Sequence, residues 1–187
     1  MKNGVLILEC LAEADPGSEG QFLLHMFNLM NVDAQYIEVR TKRQLVALLD
    51  RPPFRMVHIT THGRVDDSRP GRKPRFRGLW SSPTEDLTAA DLGGLKGKLR
   101  KRSVITTACM SAAKKFATRF VTGTGCDYYV APKESLNYAT AIYFSHVFYH
   151  KYFRLSKKHA HDIPKIVKEY NDRYKNVAGF DVARRQP

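Results

Sequence analysis

Two short apolar segments, each ending at a chemically reactive side chain, constrain the fold of this chain most strongly. They are residues 57–63 (VHITTHG) and 104–111 (VITTACMS). Both are rich in β-branched residues, which favour buried strands. The first segment leads to His62 and the second to Cys109, a separation of 109 − 62 = 47 residues. If the two strands end at the same edge of a parallel sheet, His62 and Cys109 meet there and can perform nucleophilic chemistry.

The segments around these strands predict a parallel sheet covered by helices. Apolar runs and helix-capping patterns alternate along the first third of the chain, in the order β-α-β-α-β that is typical of α/β proteins. The predicted strands are 4–11, 34–40, 54–61, 103–108 and 126–131. A capping box at 18–21 predicts the start of the first helix, which runs to about residue 30, and the other main helices are 111–120, 136–153 and 163–174. We therefore predict a single domain over residues 1–187, with a three-layer α/β/α architecture and a mainly parallel sheet.

Residues 64–78 contain many arginine, proline and glycine residues and no periodic apolar pattern. Such a long segment inside a compact domain is usually functional or disordered, so we predict a mobile loop there, and we predict a frayed tail over 183–187. The net charge is +13, with basic clusters at 69–77 and 96–102. Charge runs are most often solvated, and a surface for nucleic acid or an acidic partner is the second interpretation.

The three cysteines, Cys10, Cys109 and Cys126, cannot all pair with one another. Their odd number and wide spacing favour reduced thiols in the cytoplasm, and we predict that Cys10 and Cys126 are core residues. No spacing of cysteine and histidine suggests zinc, and we predict no cofactor. No apolar run approaches the roughly 18 residues of a membrane span, and the first residues do not resemble a signal peptide, so we predict no membrane association.

The chemistry of the predicted pair follows from its position. A helix that starts directly after Cys109 would place partial positive charge near the sulfur and favour a thiolate. His62 can protonate a leaving amine. The backbone N–H groups of Gly63 and Cys109 can form an oxyanion hole. This reasoning requires no third residue, and the sequence indicates no asparagine or aspartate that would orient His62. We expect His58 to pack or hydrogen-bond beside the pair.

These motifs together resemble the CHAT family of caspase-like cysteine peptidases (clan CD). The histidine motif of that family is similar to residues 57–63, including the additional His58, and its cysteine motif is similar to residues 104–111. Residues 87–92 (LTAADL) resemble its approach to the cysteine strand, and residues 143–149 (YFSHVFY) resemble its aromatic helix. The interval of 47 residues is also close to the roughly 50 residues noted for caspases. The resemblance covers most of the chain in the same order.

The resemblance implies the caspase-hemoglobinase fold and a cysteine endopeptidase with a Cys109/His62 dyad. It also implies a protein substrate, an activating protein partner in some systems, and a role in a regulated prokaryotic defence or cell-death pathway. Two positions depart from the pattern of related peptidases: Met110 replaces an acidic residue after the cysteine, and Thr107 stands where metacaspases carry an acid that binds a basic P1 side chain. The resemblance therefore does not define the substrate preference.

For the P1 pocket we consider Glu134, Asp127 and Thr107. Either carboxylate would favour a basic P1 side chain, whereas Lys133 would favour an acidic one. Trp80 either lines the site or anchors the preceding loop. Two other functions remain open: a catalytically silent binding module that uses its basic loops to hold nucleic acid or an acidic partner, and a different cysteine acyl-transfer enzyme such as a small-molecule amidase.

Overall fold

The computed structural model describes residues 2–10, 12, 15, 17–66, 74–155 and 162–185. Nine strands and five α-helices occur in this part of the chain, together with a 3₁₀-helix at Asp91–Leu95 and a π-helical turn at Lys151–Leu155. The strands are β1 Lys2–Glu9, β2 Asp33–Glu38, β3 Phe54–Thr60, β4 Gly63–Asp66, β5 Arg75–Ser82, β6 Glu85–Thr88, β7 Ser103–Thr106, β8 Tyr128–Pro132 and β9 Phe180–Arg184. The helices are α1 Glu19–Leu29, α2 Lys42–Leu48, α3 Lys114–Thr124, α4 Tyr138–His150 and α5 Ile163–Arg173.

Six of the strands form one central sheet in the order β2-β1-β3-β7-β8-β9. Every neighbouring pair in this sheet is parallel except β8 and β9, which are antiparallel. The sequences of the central strands are nearly continuous apolar runs because both faces of these strands are buried. In β3, for example, six of the seven residues are buried. The sheet is therefore mainly parallel, as the sequence predicts.

Helices cover both faces of this sheet. On one face, α1, α4 and α5 pack their apolar side chains, among them Phe27, Phe144 and Ile166, against Val5 and Ile105. On the other face, apolar residues of α2 and α3 form a second buried cluster with the alternate residues of the same strands. Alternation of side chains along each strand produces these two separate clusters. The predicted three-layer α/β/α fold is confirmed.

A second, smaller sheet corrects the prediction of a mobile loop over 64–78. Strands β4, β5 and β6 form an antiparallel three-stranded sheet directly after β3. Residues 64–66 and 75–78 belong to its strands, and residues 67–73 lie outside the described part of the chain. At the start of β5 the exposed Arg75 and Arg77 flank the half-buried Phe76. This alternation is typical of a strand, but it is too short to be recognised in an arginine-rich segment.

The carboxyl-terminal end also differs from the prediction. Residues 183 and 184, expected to be frayed, belong to β9, which pairs with β8 from Tyr128 opposite Arg184 to Pro132 opposite Phe180. The side chain of Phe180 is buried and stacks on Phe144, so the strand is held by packing as well as by backbone pairing. Among the described helices, none is long and apolar enough to cross a bilayer.

Candidate active site

Strand pairing brings the two predicted catalytic residues to the same edge of the central sheet. Strands β3 and β7 are parallel neighbours, with Ile59 opposite Thr106. His62 follows β3 and Cys109 follows β7, so both residues lie beyond the carboxyl ends of their strands. Ligands of α/β sheets usually bind at this edge. His62 and Cys109 both line one cavity of about 230 Å³, whose wall also includes Cys10, Asp15, Glu19, Thr107, Asn137 and Tyr138.

Gly63 is required where the two strand ends approach each other. A Cβ atom added to Gly63 would lie 1.9 Å from the carbonyl oxygen of Cys109 and 3.1 Å from its backbone nitrogen. A contact of 1.9 Å with backbone oxygen cannot be relieved by rotating a side chain. The structure thus gives Gly63 a packing role, because only a residue without a side chain allows the His62 and Cys109 loops to approach this closely.

The surroundings of the three cysteines differ. Cys10 and Cys126 are buried, whereas Cys109 is partly exposed. Burial raises the pKa of both buried thiols to about 12, so neither forms a thiolate near neutral pH. Both belong to an apolar cluster, which confirms their predicted place in the core. Cys10 also contributes to the wall of the cavity.

The segment after Cys109 is a turn rather than the predicted helix. The backbone N–H of Met110 donates to the carbonyl of Glu134 at 3.1 Å, and the positive φ of Met110 (59°) is incompatible with a right-handed helix. Helix α3 therefore begins only at Lys114. Because the helix dipole acts mainly within the first turn, α3 does not provide the predicted charge at the sulfur. Instead the backbone N–H of Leu136 lies 3.4 Å from the Cys109 Sγ atom.

A carboxylate that the sequence analysis missed holds His62. The Nε2 atom of His62 lies 2.6 Å from Oδ1 of Asp15, and the other oxygen of Asp15 accepts a hydrogen bond from the backbone of Ala12 at 2.7 Å. Asp15 thus holds the His62 ring at Nε2. The ring of Trp80 lies edge-on to His62, with 6.1 Å between the ring centroids, and supports it from β5.

A second missed residue, Glu19, links the two strands that carry the pair. Its Oε2 atom accepts hydrogen bonds from the hydroxyl groups of Thr60 at 2.7 Å and Thr107 at 2.6 Å. These threonines stand two residues before His62 and two residues before Cys109, respectively. The other oxygen of Glu19 accepts from Ser145 of α4 at 2.9 Å. Glu19 is 2% exposed, so these bonds form in a low-dielectric interior where they are strong.

His58 lies beside this buried carboxylate, as expected from the sequence. Its Nδ1 atom is 3.0 Å from the hydroxyl of Tyr149, and its Nε2 atom is 3.3 Å from Oε1 of Glu19, at an angle outside that of a directed hydrogen bond. Burial on its own raises the pKa of Glu19, but His58 and the two threonines outweigh burial and lower it from its ordinary value of 4.5. Glu19 is therefore a carboxylate at neutral pH.

The structure brings together some of the predicted substrate-binding residues and not others. Thr107 lines the cavity, with its hydroxyl directed at Glu19. Glu134 is exposed and does not line the cavity; only its backbone carbonyl approaches the site, at Met110. Asp127 precedes β8 at the opposite edge of the sheet, where it pairs with Arg185 at 3.4 Å. Strand direction excludes Asp127 from the site, so the prediction that it lies in the pocket is wrong.

Within the described residues, no group of three or more histidine, cysteine, aspartate or glutamate side chains is placed to hold a metal ion. A scan against protein-family models found no match to this chain, and a search of curated proteins found no match either. The resemblance to CHAT peptidases therefore stays a prediction based on the motifs. The fold and the geometry at the edge of the sheet provide the basis for a functional proposal.

Proposed function

We propose that this protein is a cysteine endopeptidase in which Cys109 is the nucleophile, His62 the acid–base group and Asp15 the residue that orients His62. The observation that carries the proposal is the shared cavity, in which a partly exposed thiol and a carboxylate-bound imidazole lie beyond adjacent strand ends. A nucleophile, a base and an orienting group in this arrangement are the components of nucleophilic catalysis. We propose that no cofactor takes part.

The proposed reaction has two stages. His62 takes the proton of the Cys109 thiol, and the sulfur attacks the carbonyl carbon of the scissile peptide. The backbone N–H groups of Cys109 and Gly63 are the proposed donors to the resulting oxyanion. The C–N bond then breaks, His62 gives its proton to the leaving amine, and a thioester remains. In the second stage His62 removes a proton from water, and the hydroxide attacks the thioester carbonyl. The C–S bond then breaks, the carboxylic acid is released, and His62 returns its proton to the Cys109 sulfur.

The charge of the cavity favours a basic P1 side chain. Asp15 and Glu19 both line it, and no lysine or arginine is among those of its lining residues that the structure describes. Burial raises the pKa of Tyr138, and the nearby Glu9, Glu19 and Asp15 raise it further, which indicates a negative potential at that hydroxyl. The Tyr138 hydroxyl is buried and has no hydrogen-bond partner among the described residues. A guanidinium or ammonium group would supply the missing donor and the compensating charge.

The decisive experiment compares wild type with Cys109→Ala. A peptide library is incubated with each protein, and the fragments are identified by mass spectrometry; we expect cleavage only by the wild type. A peptide chloromethyl ketone should label Cys109 and leave Cys10 and Cys126 unmodified, because those two are buried. Labelling of Cys126 with no reaction at Cys109, or equal cleavage by Cys109→Ala, would contradict the proposal.

The P1 preference is tested with fluorogenic peptides that differ only at P1. We expect arginine or lysine to be preferred, and Tyr138→Phe to raise KM for these substrates by roughly tenfold to a hundredfold, as expected for one hydrogen bond to a charged group. Glu134→Gln removes an exposed carboxylate outside the cavity and serves as the matched control, with no change expected. A wild-type preference for aspartate or leucine would contradict the proposed charge recognition.

A further inference from the structure

A basic groove begins at the residue that follows Cys109. It has a volume of about 960 Å³ and runs between the small sheet and the start of α3, with Met110 and Lys133 at the end nearest the proposed nucleophile. Its cationic residues are Arg75, Arg77, Lys114, Lys115 and Lys133. The cavity described above and this groove share no lining residue. They are separate depressions, one lined by Cys109 and the other by the next residue, Met110.

The positive charge of the groove is not neutralised by the described part of the chain. All five cations are exposed, and none forms a salt bridge with a described residue. The acidic residue that lines the groove is Asp66. Beyond Lys115 the surface continues into a second hollow that carries Lys96 and Arg119. Adjacent like charges repel one another, so an anionic ligand would relieve this repulsion as well as form new ion pairs.

The floor of the groove is apolar. Phe116 is buried and Phe76 is half-buried, and the two rings pack edge to face with centroids 5.0 Å apart. Because each ring is engaged with the other and partly covered, neither offers an open face on which a nucleic-acid base would stack. A cationic rim above an apolar floor instead suits a peptide that carries both acidic and apolar side chains.

We propose that this groove binds an acidic segment of the protein substrate, next to the scissile bond. The proposal rests on the endopeptidase function, since it is the position of Met110 beside Cys109 that connects the groove to the bond being cleaved. A substrate of this protein then carries a basic residue at P1 and acidic residues in the adjoining segment. The interaction is electrostatic and exposed, so it weakens as salt concentration rises.

The binding step is tested without catalysis in the Cys109→Ala protein. The probe is a fluorescein-labelled peptide of repeated Glu-Glu-Leu units, followed by fluorescence anisotropy at low salt. We expect binding that becomes about tenfold weaker in the triple variant Arg77→Ala, Lys114→Ala, Lys133→Ala, which is the sum of three exposed ion pairs of ordinary strength. The control triple variant Arg43→Ala, Arg55→Ala, Lys175→Ala removes the same charge from exposed positions outside the groove and should bind as before.

Three results would overturn the proposal: no binding of the acidic peptide, equal weakening in both triple variants, or tighter binding of a single-stranded oligothymidylate that displaces the peptide. Equal weakening would mean a general effect of net charge, and oligothymidylate preference would identify a nucleic-acid surface.

A second measurement separates this proposal from the peptidase function. Two fluorogenic substrates with arginine at P1 are compared, one of which carries an acidic extension. We expect the extension to lower KM for wild type and to have no effect on the groove variant, while the short substrate is cleaved equally by both. Cleavage of both substrates with no gain from the extension refutes the substrate-binding role of the groove. Peptide binding at the groove without cleavage of either substrate refutes the peptidase instead.

Discussion

Replacing Glu19 by glutamine removes the charge that joins the histidine and cysteine strands while preserving the shape of the side chain. The amide oxygen can keep the bonds from Thr60 and Thr107, and the amide nitrogen then faces Ser145. Three charge-assisted hydrogen bonds become neutral ones, and each change costs about 1 kcal/mol. We therefore expect the free energy of unfolding at neutral pH to fall by roughly 2–3 kcal/mol. In urea this corresponds to a midpoint lower by about 1 M.

The same variant should change how stability depends on pH. The pKa of Glu19 is lower in the folded protein than its ordinary value of 4.5. Its stabilising contribution is therefore complete above pH 4.5 and is lost as the pH falls through the lower folded value. Glutamine does not titrate, so the difference in unfolding free energy between wild type and Glu19→Gln should be constant above pH 4.5 and should shrink below it.

Glu9→Gln is the matched control for this prediction. Glu9 is also a buried carboxylate, which accepts hydrogen bonds from Gly20 at 2.7 Å and from Tyr36 at 2.8 Å. Glu9 is the strand neighbour of Thr60, but the hydroxyl groups of Thr60 and Thr107 donate to Glu19 and not to Glu9. Urea unfolding followed by circular dichroism gives stability, and the rate of thiol labelling at Cys109 reports the geometry of the site. We expect only Glu19→Gln to alter the labelling rate. An unchanged midpoint, or a stability difference that grows as the pH falls below 4.5, would refute the reasoning.

Two further predictions concern the residues around the dyad. Asp15→Asn should lower kcat by about tenfold to a hundredfold, because His62 loses the carboxylate that holds its ring at Nε2; an unchanged kcat would argue against an orienting role. Gly63→Ala should destabilise the fold by about 1–3 kcal/mol in thermal unfolding, because the new Cβ overlaps the carbonyl oxygen of Cys109. A fully stable Gly63→Ala protein would mean that the two loops separate easily.

The parts of the site that were predictable from sequence are those encoded locally. Val57 to Ile59 and Val104 to Ile105 are apolar and β-branched, so the strands and the residues at their ends could be identified before the structure was known. The parallel arrangement of these two strands followed from the alternation of strands and helices along the chain. The exclusion of Asp127 was equally accessible, because a residue at the start of a parallel strand lies at the edge opposite the residues that follow its neighbours.

The residues that were not predicted form their contacts with partners that are distant in the sequence. The Asp-Pro-Gly sequence that begins at Asp15 is typical of a turn, and Glu19 lies in the first turn of α1, so local chemistry accounts for both residues. Ser18 does cap α1, as its pattern indicates. Nothing in the spacing of Asp15 or Glu19 shows that their carboxylates reach His62 and Thr107, because the contacts depend on how α1 packs against the sheet. The turn at Met110 was missed for the same reason, since the backbone N–H of Met110 donates to the carbonyl of the distant Glu134.

The hydrogen bonds of Glu19 also have a consequence for the order in which the protein assembles. Its carboxylate joins α1 to Thr60, Thr107 and Ser145, which are 41, 88 and 126 residues away along the chain. Contacts between such distant segments require the closure of large loops, and chains dominated by them fold slowly. The proposed dyad of His62 and Cys109 can be aligned in this way only when the first and last thirds of the domain have docked. The proposed activity should therefore be among the last properties to appear during refolding, later than helical structure, and a chain interrupted during synthesis before α4 should lack an aligned site.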